Sequence, residues 1–349
     1  MKKWLFVGCV LLCTVVNATP YVTNVVAKQR YPWNCKADIS FEVVGDLEAD
    51  LPAGQIAELS VAMTDRTTGK TYTPCYLSGD IEPTAGSHHV VWDLTGLGGV
   101  CSTEAVFSVS YLTRNAYRVI DISKGSTAEQ YPVSILRAVP NDGWGDEYKT
   151  DKIVLRCIDG TNGVYYAGIF EITQAQWDKV MGGTSSSTNP KDCVSYNSIR
   201  GDADTYNWPT TTDVDATSFI GKLRQKTGLT MLDLPSEAEW EFAARAGVTT
   251  TWLCGDSYQW LWDYAWFKDD SHHPVGGRRA NAWELYDVLG NVSEWCLDRY
   301  SSDGSSRVVR GGAASDGSDC CTLSWRNGDS PSSGVDCIGF RLFCRPESN

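Results

Sequence analysis

The chain has 349 residues, a formal net charge of −13, and 42% hydrophobic with 21% charged residues. The length leaves room for two domains and the composition is globular, which excludes a disordered or fibrous chain. The acidic balance argues against a nucleic-acid partner and repels anionic lipid; it equally serves to keep an exported protein soluble. The 14 Trp and 32 Gly point to a loop-rich fold pinned by large aromatics.

The chain opens as a signal peptide. Lys2 and Lys3 precede the apolar run Trp4 to Val16, and Val16-Asn17-Ala18 offers a cut after Ala18. A lipoprotein anchored through Cys9 or Cys13 is the alternative. Either reading places the protein outside the cytoplasm: secreted, periplasmic or on the cell surface. No later run is long and apolar enough to span a membrane. Of 13 cysteines, eleven lie beyond the signal peptide, an odd number. Export predicts several disulfides and at least one thiol left over or bridged between chains.

Residues 19–122 read as a β-sandwich of immunoglobulin or fibronectin type. Ala37, Ile39, Phe41 and Val43 alternate with polar residues, as do Leu59, Val61 and Met63, then Val90, Trp92 and Leu94, then Phe107, Val109 and Tyr111. Turn signals separate the runs at Thr68-Gly69, Ser78 to Asp80 and Gly96 to Gly99. Residues 123–151 are polar and read as a linker. A second domain, 152–345, carries three helix signals, at Thr173 to Met181, Asp215 to Thr227 and Ser236 to Ala246. Ser236 with Glu239 forms a capping box, and Gly182, Gly228 and Gly247 stop the three helices. The fold class is therefore α+β.

Five motifs follow in order within that second domain. They are Glu171-Ile-Thr-Gln-Ala-Gln-Trp177, Leu234-Pro-Ser-Glu-Ala-Glu-Trp-Glu-Phe-Ala-Ala-Arg-Ala-Gly247, Asn281-Ala-Trp-Glu-Leu-Tyr-Asp-Val-Leu-Gly-Asn-Val-Ser-Glu-Trp295, Arg310-Gly-Gly312 and Ile338-Gly-Phe-Arg341. Together they resemble the formylglycine-generating enzyme (sulfatase-modifying factor) family, whose domain is a variant of the C-type lectin fold. Members of that family oxidise a substrate cysteine with copper(I) and oxygen, through two cysteines four and nine residues after the double glycine. Here those positions are Asp316 and Cys321, and the serine after the glycines is Ala313. A carboxylate is a hard ligand and suits copper(I) poorly. Copper(I) is thus not expected, and Cys321 is left as the one candidate catalytic residue. Cys320, Cys321 and Cys337 either build another soft site or serve as disulfide or buried residues. His272-His273 precedes Pro274-Val-Gly, where the family commonly has His-Pro, and reads as structural.

Asp287, Gly290, Val292 and Glu294 make up a candidate calcium loop. Two carboxylates and two carbonyls supply hard oxygens, and the resemblance implies the same assignment. The alternative is a turn in which both carboxylates cap backbone N–H groups. Asp233 is a further departure, standing where relatives commonly have arginine before Leu-Pro.

Residues 313–337 are built from few residue types. Ser, Asp, Gly, Cys and Val each arise from one asparagine codon by changes at adenine. Proteins diversified by retroelements carry that signature at this end of the fold, where it forms the ligand face; a drifting polar loop is the alternative. On the first reading Asp316, Asp319, Trp325, Asp329 and Asp336 are ligand-binding. Two functions from different classes follow. One is a secreted binding protein that recognises a surface protein or glycan. The other is an oxidase acting on a peptide cysteine. A purely structural surface role is a third.

Overall fold

Alternating apolar residues give a strand one face for a core and one for water. The N-terminal half obeys that rule in a computed structural model of the protein. It describes residues 21–29, 36–45, 55–73, 77–80, 84–93, 105–115, 117–136, 139–140, 142–160 and 163–346. The signal peptide, Leu94 and the Gly96 to Gly99 turn lie outside the described residues. The rest divides into two units. The first runs to Asn115 and includes Arg245–Trp260; the second takes 117–244 and 261–346.

In the first unit, β1 (Tyr21–Gln29), β2 (Lys36–Val44), β3 (Gln55–Asp65), β4 (Thr71–Tyr72), β5 (Leu77–Gly79), β6 (Gly86–Asp93) and β7 (Ala105–Asn115) form two sheets. Their orders are β1-β2-β6-β5 and β4-β3-β7. Ala37, Ile39, Phe41 and Val43 of β2 join Val90 and Trp92 of β6 and Val61 and Met63 of β3 in one buried core. Phe107, Val109 and Tyr111 of β7 pack against it. Trp92 meets Phe107 edge-on at 5.9 Å. The segment after Arg245 joins this unit through its backbone. Thr73 Oγ1 donates to the Ala246 carbonyl at 2.6 Å.

The second unit starts earlier than the polarity of 123–151 predicts. Its first strands are β8 (Tyr117–Asp121) and β9 (Val133–Leu136). Tyr117–Asp121 pairs antiparallel with Lys152–Arg156, burying Tyr117, Val119 and Ile120. Residues 117–136, assigned from sequence to the sandwich end and the linker, are therefore an integral sheet edge. Short α1 (Glu147–Thr150) leads into β10 (Lys152–Gly160), β11 (Gly163–Gly168), α2 (Gln174–Met181), α3 (Tyr196–Arg200), α4 (Phe219–Thr227), β12 (Leu232–Asp233) and α5 (Glu237–Arg245). Five strands follow: β13 (Ser293–Arg299), β14 (Arg307–Arg310), β15 (Arg326–Asp329), β16 (Ile338–Gly339) and β17 (Phe343–Cys344). They complete two sheets, β12-β17-β11-β10-β8-β9 and β15-β14-β13-β16. The molecule is mostly β with few helices.

Caps set the helix ends. Thr173 and Gln176 form a reciprocal capping box on α2, and Gly182 ends it in the left-handed region. α4 starts at Phe219 and not at Asp215, because Ser218 Oγ takes the Gly221 N–H at 3.1 Å. Between the helices, Trp177 stacks on Phe219 at 5.0 Å and both meet Phe340 edge-on.

Candidate functional site

Three loops of the second unit are laced together by backbone hydrogen bonds. Gly290 N donates to Gly311 O at 3.0 Å, Ala314 N to Asn291 O at 2.8 Å, and Asn291 N to Trp266 O at 3.0 Å. Lys268 N donates to Asp316 O and Asp269 N to Ala314 O, both at 2.8 Å. The double-glycine turn, the acidic loop and the 266–269 segment are thus one framework. Gly290 has φ +77°, and a Cβ there would lie 2.0 Å from Trp266 O, so no other residue fits without opening the crossing.

Beneath this framework lies a buried charge cluster. Glu171, Asp287, Glu294 and Arg341 are each at most 2% exposed. Arg341 Nε donates to both Glu294 oxygens at 2.8 Å, and Nη2 donates to Oε1 at 2.6 Å. Trp240 Nε1 donates to Glu294 Oε2 at 2.6 Å. Glu171 accepts from Asn291 Nδ2 at 2.7 Å and from Val292 N at 3.1 Å. Asp287 takes the Gly276 N–H on Oδ2 at 2.6 Å, while its Oδ1 is buried without a partner. Three carboxylates face one guanidinium. Burial, then the Asp287 and Glu294 charges, push Glu171 well above the usual carboxylate range. Burial likewise raises Asp287 to about 6.

Of the expected calcium donors, Glu294 is turned to Arg341 in this arrangement. Glu294 has both oxygens committed to Arg341 and Trp240. Asp287 alone keeps an open oxygen. Among the described residues, no group of three or more His, Cys, Asp or Glu side chains is placed to hold a metal ion. Local spacing had no way to signal that Arg341 would take Glu294. Millimolar calcium is accordingly expected to leave the thermal midpoint within about 1 °C of its value in chelator, since a ligand of the folded state alone would raise it. A rise that grows with calcium concentration would show that Glu294 leaves Arg341 for the ion.

Around the double glycine the turn is closed by Asp316. Its Oδ2 accepts the Ala313 N–H at 2.9 Å, and its own N–H returns to Ala313 O at 3.0 Å. Cys321 is fully buried, with Sγ 3.8 Å from Ala313 O. Burial, then the Asp316 charge, push this thiol far up from its ordinary value. A thiolate nucleophile or metal ligand needs the opposite environment. Cys193, Cys296, Cys320, Cys321, Cys337 and Cys344 carry no disulfide in this structure. His272 pairs with Asp192 at 3.3 Å, and His273 with Asp269 at 3.0 Å while stacking on Trp266 at 3.7 Å.

The expected ligand segment is only partly loop. Residues Arg326–Asp329 form β15, antiparallel to β14, so Asp329 stands opposite Arg307 in a sheet. Asp319 and Asp336 are exposed; Asp316, Trp325 and Asp329 are half-buried. Asp316, Asp329 and Asp336 converge electrostatically on Cys337, whose thiol is raised by burial and then by these charges. Asp319 acts on Cys320 and Cys321. Trp325 is tied by its backbone N–H to the Thr322 hydroxyl. Asp233, unexplained by sequence, sits between two arginines. Arg200 Nε reaches its oxygens at 3.0 and 3.1 Å, and Arg224 Nη2 at 3.0 Å.

A mostly-β domain whose double-glycine turn is laced to an acidic Gly-Asn-Val loop is of the formylglycine-generating-enzyme type. Residues 156–346 match the sulfatase-modifying factor enzyme 1-like domain, and the chain belongs to that family. It is 36% identical over 132 residues to the inactive C-alpha-formylglycine-generating enzyme 2 of Bos taurus, covering 31% of this chain and 42% of that protein. The chain thus spans less than half the length of this relative. It is 26% identical over 211 residues to the chaperone protein LppX of Paenibacillus barcinonensis, covering 48% of this chain and 75% of that one. Among solved structures, Treponema denticola variable protein 1 aligns with TM-score 0.45 at 23% identity, over 56% of this chain and 96% of its own.

Proposed function

We propose that the protein is a non-catalytic, exported binding module. In this reading an immunoglobulin- or fibronectin-like sandwich carries a family domain that meets a surface protein or glycan through residues 313–337. The observation that carries it is Asp316. Where the oxidases of the family have a thiol, this chain has a carboxylate folded back onto the Ala313 N–H. The remaining Cys321 is buried and held protonated, and a carboxylate with a protonated thiol makes a poor copper(I) site. The inactive relative named above supports the same reading. The acidic face around Asp316, Asp329 and Asp336 suits a partner that presents cations or hydroxyl donors. Retroelement diversification would account for the residue types of the segment.

Copper(I) competition against a chromophoric chelator, on reduced protein, tests this. The wild type is expected to lose to the chelator, and Asp316→Cys is expected to gain affinity by 100-fold or more, on the order of 3 kcal/mol. Tight binding by the wild type instead would make the protein an oxidase candidate through Cys321, and oxidation of peptide thiols would then be the assay.

A further inference from the structure

Arg278 is a cation without a counter-ion in a chain of net charge −13. Among the described residues it makes no ion pair and no hydrogen bond, whereas Arg156, Arg200, Arg310 and Arg341 of the same unit are each held by a carboxylate. Its guanidinium carbon lies 3.6 Å from the centre of the Trp266 ring. His273 stacks on the same indole at 3.7 Å, and Asp269 fixes His273 through Nε2 at 3.0 Å. Two donors of this stack, Arg278 Nε and Trp266 Nε1, are buried without a partner. A planar fork of N–H donors, stacked in place and unanswered by any acid, is a receptor for an oxyanion.

An aromatic platform adjoins it. Arg279 N donates to Asp263 O at 2.9 Å, which brings residues 262–263 against 278–279. Trp262 is 41% exposed, yet its ring is backed at 4.2 Å by Phe267, which is 1% exposed. An indole braced by a buried ring and open to solvent offers a rigid, flat apolar surface. Trp266 O holds Asn291 N and Lys268 N holds Asp316 O. Platform and receptor therefore stand on the framework that carries the double glycine.

We propose that Trp262 and Arg278 form a subsite for an acidic sugar, whose pyranose ring lies on the indole and whose carboxylate or sulfate group is taken by the guanidinium. A pyranose has a face of C–H groups that suits an aromatic plane, and its hydroxyls can donate to the neighbouring Asp263. Arg279, exposed beside Arg278, adds a second positive charge. A peptide carboxylate would answer Arg278 equally well but would leave Trp262 in water, so the pair of features selects a sugar. The attraction is local in an acidic protein and is screened beyond about 8 Å at physiological salt, so binding is modest and weakens as salt rises. The subsite rests on the binding reading above only in that a glycan is recognised, since neither residue lies in 313–337.

Titration calorimetry of the full chain tests it with four probes: tetragalacturonate, its methyl ester, a sulfated galactose tetrasaccharide and hexaglutamate. Saturable binding of an acidic tetrasaccharide is expected, with the methyl ester and hexaglutamate weaker by about 10-fold or more. Whichever acidic sugar binds more tightly identifies the anion as carboxylate or sulfate. Arg278→Met and Trp262→Ala should each weaken binding by about 10-fold. Arg278→Lys should lose less than Arg278→Met, because the charge stays and only the fork is lost. Arg278 has no ion pair to forfeit, so the thermal midpoint of Arg278→Met should stay within about 2 °C of the wild type, which separates a lost site from a lost fold. Equal affinity for the methyl ester, equal affinity for hexaglutamate, undiminished binding by either variant, or no saturable binding of either acidic sugar would each overturn the proposal. Copper competition reads Asp316 and Cys321 and not this stack, so the subsite and the non-catalytic reading can fail separately.

Discussion

Arg341→Met is expected to cost roughly 3–5 kcal/mol at pH 7, a large part of the 5–15 kcal/mol that typically holds a domain together. Arg341 is 1% exposed and serves Glu294, the Gly168 carbonyl at 3.0 Å and the Tyr286 carbonyl at 2.8 Å. Methionine fills similar space but leaves Glu294, Glu171 and Asp287 buried without a counter-charge. Arg341→Lys keeps the charge and loses the fork that grips Glu294, so an intermediate loss is expected. The pH dependence has a definite sign. A carboxyl whose folded value is raised holds its proton more tightly when folded, so it stabilises the fold as pH falls through that value and weakens it as pH rises. Asp287 lies at about 6 and Glu171 is also raised; removing the guanidinium raises both further. The deficit of the methionine variant should therefore shrink between pH 7 and pH 5. Urea denaturation followed by tryptophan fluorescence at the two pH values measures it. A loss under about 1 kcal/mol, or a deficit that does not change with pH, would show that the cluster is held by something other than this ion pair.

What the sequence could and could not announce follows the range of the interactions. Alternation along β2 was legible because a half-buried strand repeats every two residues, and Ala37, Ile39, Phe41 and Val43 are indeed buried. The capping box of Ser236 and Glu239 was legible because its partners lie three residues apart, and Ser236 N does donate to Glu239 at 2.8 Å. The domain motifs were legible for the same reason, as short strings. The pairing of β8 with β10 was not, because a polar stretch separates partners that recognise each other only as a sheet edge. The true partner of Glu294 lay 47 residues away. The carboxylate spacing of the acidic loop is the same whether a cation or Arg341 neutralises it. Glu171, quoted only as part of a helix-entry motif, belongs to that cluster because its strand-to-helix corner packs beneath the Asn291 turn. A buried acid at such a corner was the one signal that could have flagged it.

Asp233 shows the same limit from the opposite side and carries the second large prediction. A carboxylate in place of a family arginine reads from sequence as a loss. In the structure it is 2% exposed and neutralises Arg200, which is fully buried, while also binding Arg224. One acid sits between two bases. Asp233→Ala would strand the Arg200 guanidinium, whose remaining acceptors are the carbonyls of Tyr206 and Thr211. The expected cost is roughly 3–5 kcal/mol. Arg200→Leu should be similarly costly, because Asp233 would then keep only Arg224 as a counter-charge, beside the Leu234 N–H. The double variant should be less destabilised than the sum of the singles by more than about 1 kcal/mol, the coupling expected of residues in direct contact. Chemical denaturation of the four proteins gives that coupling directly. Strict additivity would mean that Asp233 and Arg200 matter only through packing, and that their ion pair is incidental to the fold.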